Sequence, residues 1–329
     1  MAAKPAWVEA GLPVEASEVP ESDYPYLAER LEEHGRPAAD YFVSLFERHQ
    51  IVILGEMHNV KEHKDFVIEL IPRLYHEGGV RCIGWEFSRY TDNPRLAELV
   101  VGDELAGEEV LEFARGQSVE WNSKEHWDII EAVWRLNHSL EPAQERMRLV
   151  GLQPNTDVPQ YWITVKTKPQ DSPEFREVME AVGLSVDATM ATHAETEIIE
   201  RGEKGLFFVG HGHDYTHYEY PPDIAMGRPI MGNLLYKKYG DRVFQVWPGC
   251  GWEPVIEEVM ALRQHERIGF DLYASPFANI LTPTQFPEGG VPFSKVARGF
   301  VYLGPTSELH RNTTIKGFVT EEMFRAHKE

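Results

Sequence analysis

The chain has 329 residues, 42% of them apolar, enough to bury a large core and to exclude a disordered or fibrous protein. Its formal charge is −21, from 32 basic and 53 acidic residues, and no Lys/Arg run forms a stripe that could neutralise phosphates, so neither nucleic acid nor membrane is an expected partner. Residues 1–20 lack a basic start followed by an apolar stretch, and no window approaches the roughly 18 apolar residues of a membrane helix, so a cytoplasmic location is expected. With only Cys82 and Cys250, neither a disulfide framework nor a Cys-based zinc site is suggested.

Residues 1–22 are rich in Pro and Glu and read as a surface arm, ahead of a single α/β catalytic domain over 23–329. Leu27, Leu31, Tyr41, Phe42, Leu45 and Phe46 recur at helical spacing, with Pro37 at a first helical position, which predicts two short amphipathic helices. Ile51-Val52-Ile53-Leu54 is a continuous apolar run expected of a strand covered on both faces, and it stops at Gly55. Asn59 followed by Glu62 has capping-box spacing, and Phe66, Val67, Leu70, Ile71 and Leu74 then form an apolar stripe, so a helix follows. Gly78-Gly79 ends it and Val80 to Phe87 makes a second strand. Strand, helix and strand give a parallel crossover, and the expected architecture is α/β with a predominantly parallel central sheet flanked by helices.

Helical patterns occupy 94–115 and 123–138, the second opened by Asn122 with Glu125 three residues on, and Arg146 to Leu152 reads as a third strand. Residues 153–172 hold three Pro and no period, which predicts a lid or insertion near 153–185. Helices are expected around 173–182, 187–201 and Val255 to Leu262. Further strands are expected at Leu206 to Val209, Arg242 to Trp247 and Gly299 to Leu303.

Ligands of parallel sheets bind beyond the carboxyl ends of the strands, and three such ends here carry ionisable residues: Gly55-Glu56-Met57-His58, Trp85-Glu86-Phe87 and Gly210-His211-Gly212-His213-Asp214. Groups of this kind directly after buried strands must be paired, hydrogen-bonded or metal-bound. Glu56 and His58 read as a carboxylate that fixes an imidazole tautomer and raises its basicity, leaving the other ring nitrogen to take a proton or hold a metal. Gly55, Gly210 and Gly212 are expected to let the backbone turn sharply. Glu56 also reads as a charge at a helix N-terminus, and Glu86 as the partner of a buried Arg, with Arg89 close by in sequence. Arg89, His126, His211, Tyr215 and His217 are the expected substrate-binding residues, with Tyr215, Tyr218 and Tyr220 lining a loop. His63 and the pair His193 and Glu197 read as surface residues.

Taken together, ILGEMH at 53–58, IGWEF at 83–87 and FFVGHGH at 207–213 resemble the erythromycin esterase/ChaN/Tiki superfamily. Asp187-Ala188-Thr189-Met190-Ala191 resembles the D-x-x-M-A pattern of its esterase branch. The resemblance implies that Glu56, His58, Glu86 and His213 line the site. Erythromycin esterases hydrolyse a macrolide ester with a histidine-activated water, Tiki-like members are metal-dependent peptidases, and ChaN-like members bind haem. GHGH stands here where the esterases have a His-Asn-x-His turn, so macrolide specificity is not implied.

The expected function is an esterase-like hydrolase acting on a small molecule. His58, oriented by Glu56, takes a proton from water, and His213 holds the developing oxyanion or a divalent metal shared with His58 and Glu86. The same base would serve a lyase or isomerase. The His and Tyr density of His211 to Tyr220 supports a haem- or metal-binding protein as the remaining alternative. Trp85, Trp121, Trp127, Trp162, Trp247 and Trp252 permit an aromatic ligand.

Overall fold

Uninterrupted apolar runs become the central strands in a computed structural model that describes residues 2–117, 122–154, 164, 167–169, 171–177, 186–221, 229–282 and 290–318. The strands are β1 (Val14–Glu15), β2 (Arg36–Pro37), β3 (Ile51–Glu56), β4 (Val80–Arg89), β5 (Arg148–Gln153), β6 (Lys204–Gly210), β7 (Val243–Pro248), β8 (Ile268–Asp271), β9 (Ile280–Leu281) and β10 (Gly299–Tyr302). The helices used below are α1 (Ala6–Ala10), α2 (Tyr24–His34), α3 (Ala38–Ser44), α4 (Lys61–Arg73), α5 (Asn93–Val101), α6 (Gly107–Arg115), α7 (Lys124–Ser139), α8 (Val186–Ala194), α9 (Met231–Tyr239) and α10 (Pro254–Leu262).

One sheet has the order β2-β8-β10-β7-β3-β6-β4-β5, and β1 pairs with β9 separately. The strands from β10 across to β5 run parallel, while β8 is antiparallel to β10 and to β2. The architecture is therefore α/β with a mostly parallel central sheet flanked by helices, as the alternating patterns predict. The crossover differs from expectation in one respect. β3 and β4 are not neighbours, because β6 lies between them and pairs with both. The tip of β6 thus sits between the tips of β3 and β4.

Side-chain alternation sorts the core into two sides. Val52, Leu54, Ile83, Trp85, Leu206 and Phe208 pack with residues of α4, α5 and α7, whereas Ile51, Ile53, Cys82, Phe207 and Val209 pack with residues of α8 and α9. Among the described residues no helix is long and apolar enough to cross a membrane.

Neither expected capping box forms. α4 and α7 begin after Val60 and Ser123. Glu62 accepts the His310 N–H and Glu125 the Thr313 N–H instead. The cause is a strap, residues 310–315, that lies across both helix starts: the Lys61 N–H donates to the His310 carbonyl at 2.9 Å, the Lys124 N–H to Thr313 at 2.9 Å, and the Ile315 N–H to Asn122 at 2.8 Å. A strand-like neighbour satisfies orphan helix N–H groups as well as a side-chain cap does.

Pro37 falls in β2 rather than inside a helix. The 94–115 pattern splits into α5 and α6 at Gly102, and the 1–22 arm carries α1 and β1. The segments α9 and β8 were too short or too mixed in pattern to be read from periodicity. Residues 155–163 of the expected lid, together with Trp121 and Trp162, lie outside the described residues.

The outer edge of the sheet is closed by asparagines. Asn137 on α7 accepts the Met147 N–H at 2.8 Å and donates to the Met147 carbonyl at 3.0 Å and the Val100 carbonyl at 2.9 Å. Since Asn137 is buried and its removal strands these groups, Asn137→Ala should lower unfolding stability by about 2–4 kcal/mol, read as a lower urea midpoint at unchanged slope.

Candidate functional site

The two-sided alternation that builds the core also assembles the site. Glu56 continues the Val52 and Leu54 side of β3, toward α4 and α7, whereas Glu86 continues the Cys82 side of β4, toward α8. Gly210 ends β6 between them, in register with Glu56. A Cβ on Gly210 would lie 2.6 Å from His58 Cε1 and 3.3 Å from Glu86 Oε2, so only glycine leaves room for the two sides to meet. Gly55, Gly210 and Gly212 have no positive φ; the chain turns over 211–214, closed by the His213 N–H on the Gly210 carbonyl at 2.9 Å, and at Gly210 it is space that is required.

On the first side, the Glu56 carboxylate is buried and accepts hydrogen bonds from Lys64 Nζ and His58 Nδ1. His126 Nε2 lies 3.7 Å from the oxygen that His58 uses. Lys64 is equally buried and spends its other protons on the carbonyls of Met57, at 2.8 Å, and Val60, at 3.0 Å, so its ammonium is fully satisfied. Burial pushes the Glu56 carboxyl up, but the Lys64 ammonium and the His126 and His58 hydrogen bonds outweigh it and hold Glu56 well below the usual carboxylate range. An ionised carboxylate only accepts, so His58 keeps its proton on Nδ1 and presents Nε2 outward. Burial lowers the His58 pKa, yet the Glu56 hydrogen bond and charge raise it overall. Its side chain remains about half exposed, at 48%.

On the second side, His213 Nδ1 donates to Asp187 of α8 at 2.8 Å, and the same Asp187 oxygen accepts the Met231 N–H at 2.8 Å. Glu86 accepts the Gly210 N–H at 2.6 Å through Oε2. Its other oxygen, Oε1, faces both imidazoles, 3.9 Å from His58 Nε2 and 3.7 Å from His213 Nε2. Burial disfavours a charged His213, but Glu86 and Asp187 overcome it and raise the ring to about 9. The result is two imidazoles, each with Nδ1 held by a carboxylate and Nε2 turned toward a third.

Several expected residues take other places. Arg89 pairs with Asp92, at 2.9 Å from Nε, and not with Glu86, whose partners are the Gly210 N–H and the two histidines. His126 is buried with its ring 4.2 Å from Phe87 and its Nε2 toward Glu56, so it does not face a cleft. His211 is buried on the Gly55 side, its Nδ1 3.2 Å from Asp214, with its ring 4.2 Å from Trp247. Tyr215 is wholly buried against Tyr218, Tyr220 and Trp247 and lines no open loop. His217 packs its ring against Tyr236, and burial with the Arg298 and Lys295 charges pushes it down to about 4, away from the site groups.

His63, expected on the surface, is buried. It accepts the Met57 N–H at 3.1 Å and donates to the Gly249 carbonyl, and burial with the Lys64 charge pushes it down to about 3, so it is neutral. His193 stacks on Tyr90 at 3.8 Å and bonds the Leu152 carbonyl, leaving Glu197 to other partners. Lys64 and Asp187 were not among the expected site residues. The signal for Lys64 was a charge on the apolar face of α4, in line with Val67 and Ile71.

Donor atoms of Glu56, His58 and His126 lie within 4.8 Å of one another, a spacing that could hold a metal ion, and this set differs from the expected His58, Glu86 and His213. Its charge is already balanced: Lys64 holds one Glu56 oxygen, so a divalent ion on the other would face an ammonium across a single carboxylate.

No protein-family model matches the chain. No curated protein matches it either. Solved structures do. A Bacillus cereus protein is similar with a TM-score of 0.63 at 12% identity, over 89% of this chain and 99% of that one. A protein described as a succinoglycan biosynthesis protein has a TM-score of 0.63 at 11% identity, over 87% and 98%. An erythromycin esterase, EreC, in its open conformation has a TM-score of 0.55 at 13% identity, over 80% and 92%. These likenesses establish a shared fold.

Breaking a buried ion pair leaves an uncompensated charge, so Lys64→Met should cost about 3–5 kcal/mol of stability. The double variant Lys64→Met/Glu56→Gln should recover much of it in the same denaturation measurement. If the single and double variants were equally destabilised, the pair would not be the source.

Proposed function

We propose that this site hydrolyses an ester or similar acyl bond in a small organic substrate, using His58 as general base and His213 as the cationic partner. The observation that carries this reading is the pair of carboxylate-held imidazoles whose Nε2 atoms both face Glu86 Oε1, at 3.9 and 3.7 Å. Those separations exceed direct hydrogen bonds and leave all three atoms facing one point that a water can occupy. His58 Nε2 takes a proton from water, and the oxygen adds to the acyl carbon. The carbonyl electron pair moves onto oxygen, where the protonated His213 stabilises it. Collapse of the tetrahedral species breaks the bond to the leaving group, which takes the proton now on His58. Glu56 orients the base, and Lys64 keeps Glu56 ionised.

Likeness in fold to a protein named as an erythromycin esterase agrees with a hydrolase. Of the tyrosines between His211 and Tyr220, Tyr215 and Tyr218 are committed to core packing.

A panel of aromatic and alkyl esters in oxygen-18 water tests the reaction. Label should enter the acid product, and His58→Ala and His213→Gln should each lower kcat/KM by about 10²–10⁴. Wild-type turnover in both variants would refute the assignment, and so would unlabelled product.

The pH profile of kcat/KM should be a bell. Activity needs neutral His58, so it rises as pH passes a value above 6.5, and it needs protonated His213, so it falls as pH passes about 9. Dialysis against a chelator should leave the rate unchanged. A loss restored by a divalent ion would instead support a metal among Glu56, His58 and His126.

A further inference from the structure

Away from this site, at the β5 edge of the sheet, lies a cavity of about 620 Å³ lined by Tyr90, Pro94, Val101, Arg146, Leu149 and Glu197, among others. Its hydrogen-bonding character follows from the period of the strand. In a parallel strand the N–H and C=O of one residue point to the same neighbour, and the next residue serves the opposite side. Met147 gives both groups to Asn137. Gly151 gives both to Asn93: its N–H donates to Oδ1 at 2.7 Å and its carbonyl accepts from Nδ2 at 3.2 Å. Both lie on the side away from β4, so Leu149, midway between them and lining the cavity, turns its N–H and C=O to that same side.

The two asparagines occupy the positions that a longer added strand would need. What is left is a slot for one residue's worth of backbone pairing. Its wall is apolar, from Pro94 and Ala97 to Val101, which is 50% exposed. At one end stands Arg146, whose hydrogen bonds among the described residues go only to the carbonyls of Leu140 and Glu141, leaving its charge without a carboxylate. Arg148, by contrast, is taken up by Glu197 and Glu203.

We infer that this edge slot binds a small N-acylated dipeptide: the N–H and C=O of one of its residues pair with Leu149, an apolar side chain lies on the α5 wall, and the C-terminal carboxylate meets Arg146. None of these residues belongs to the His58 and His213 site, so the inference does not rest on the proposed hydrolysis.

The test is a titration of the full ¹⁵N-labelled chain with N-acetyl-L-leucylglycine, following the Leu149 amide. That resonance should shift and saturate. Methylating both ligand amide nitrogens should weaken binding about tenfold, since the one N–H that the Leu149 carbonyl would accept is lost. Arg146→Gln should weaken the acid but not its methyl ester, and His58→Ala should bind as wild type does. A Leu149 amide that does not move, equal binding of the N-methylated ligand, or indifference of the acid to Arg146→Gln would each overturn the inference.

Discussion

The site depends on a carboxylate kept ionised out of reach of water. Glu56 sits at the end of a strand buried on both faces, where an unpaired charge would protonate rather than persist. Lys64 prevents this from the adjoining helix, and two backbone carbonyls take the rest of its protons. The pair fixes the tautomer of His58, and the tautomer decides which nitrogen faces the cleft. A hydrophobic replacement of both partners would serve folding comparably well, so the buried pair is better explained by the orientation of His58 than by stability.

The second constraint is topological. Because β6 is inserted between β3 and β4, its terminal glycine becomes the floor on which groups from opposite sides of the sheet converge. His213 arrives with two carboxylates, Asp187 and Glu86, and no cation among the described residues pairs with them. His58 arrives with one carboxylate already neutralised by Lys64 and a share of Glu86. The two rings therefore hold their protons unequally, His213 to the higher pH, and unequal imidazoles can divide the work of base and acid.

Much of this was legible from residues alone. Largely apolar runs mark β3, β4, β6 and β7 because strands covered on both faces bury nearly every side chain, and ionisable residues at the ends of β3, β4 and β6 point to a site there. The strand order was not legible, since β6 inserts through long-range pairing that no local pattern encodes. The caps at Asn59 and Asn122 were misread because the competing partner, the 310–315 strap, lies nearly 200 residues or more away in sequence. His211, Tyr215 and His217 stand near His213 in sequence, yet the chain turns over 211–214 and seats all three against aromatic rings. Asp187 stood in a recognised pattern, but only the fold shows that it holds His213.

The proposed division of work requires the two imidazoles to differ in protonation while sharing the same Nδ1–H arrangement. Ring ¹⁵N resonances of His58 and His213, followed from pH 5 to pH 10, test it directly. His58 should lose its proton first and from Nε2, with His213 remaining doubly protonated until about pH 9. Loss of the His213 proton before that of His58, or a neutral His58 carrying its proton on Nε2, would contradict it.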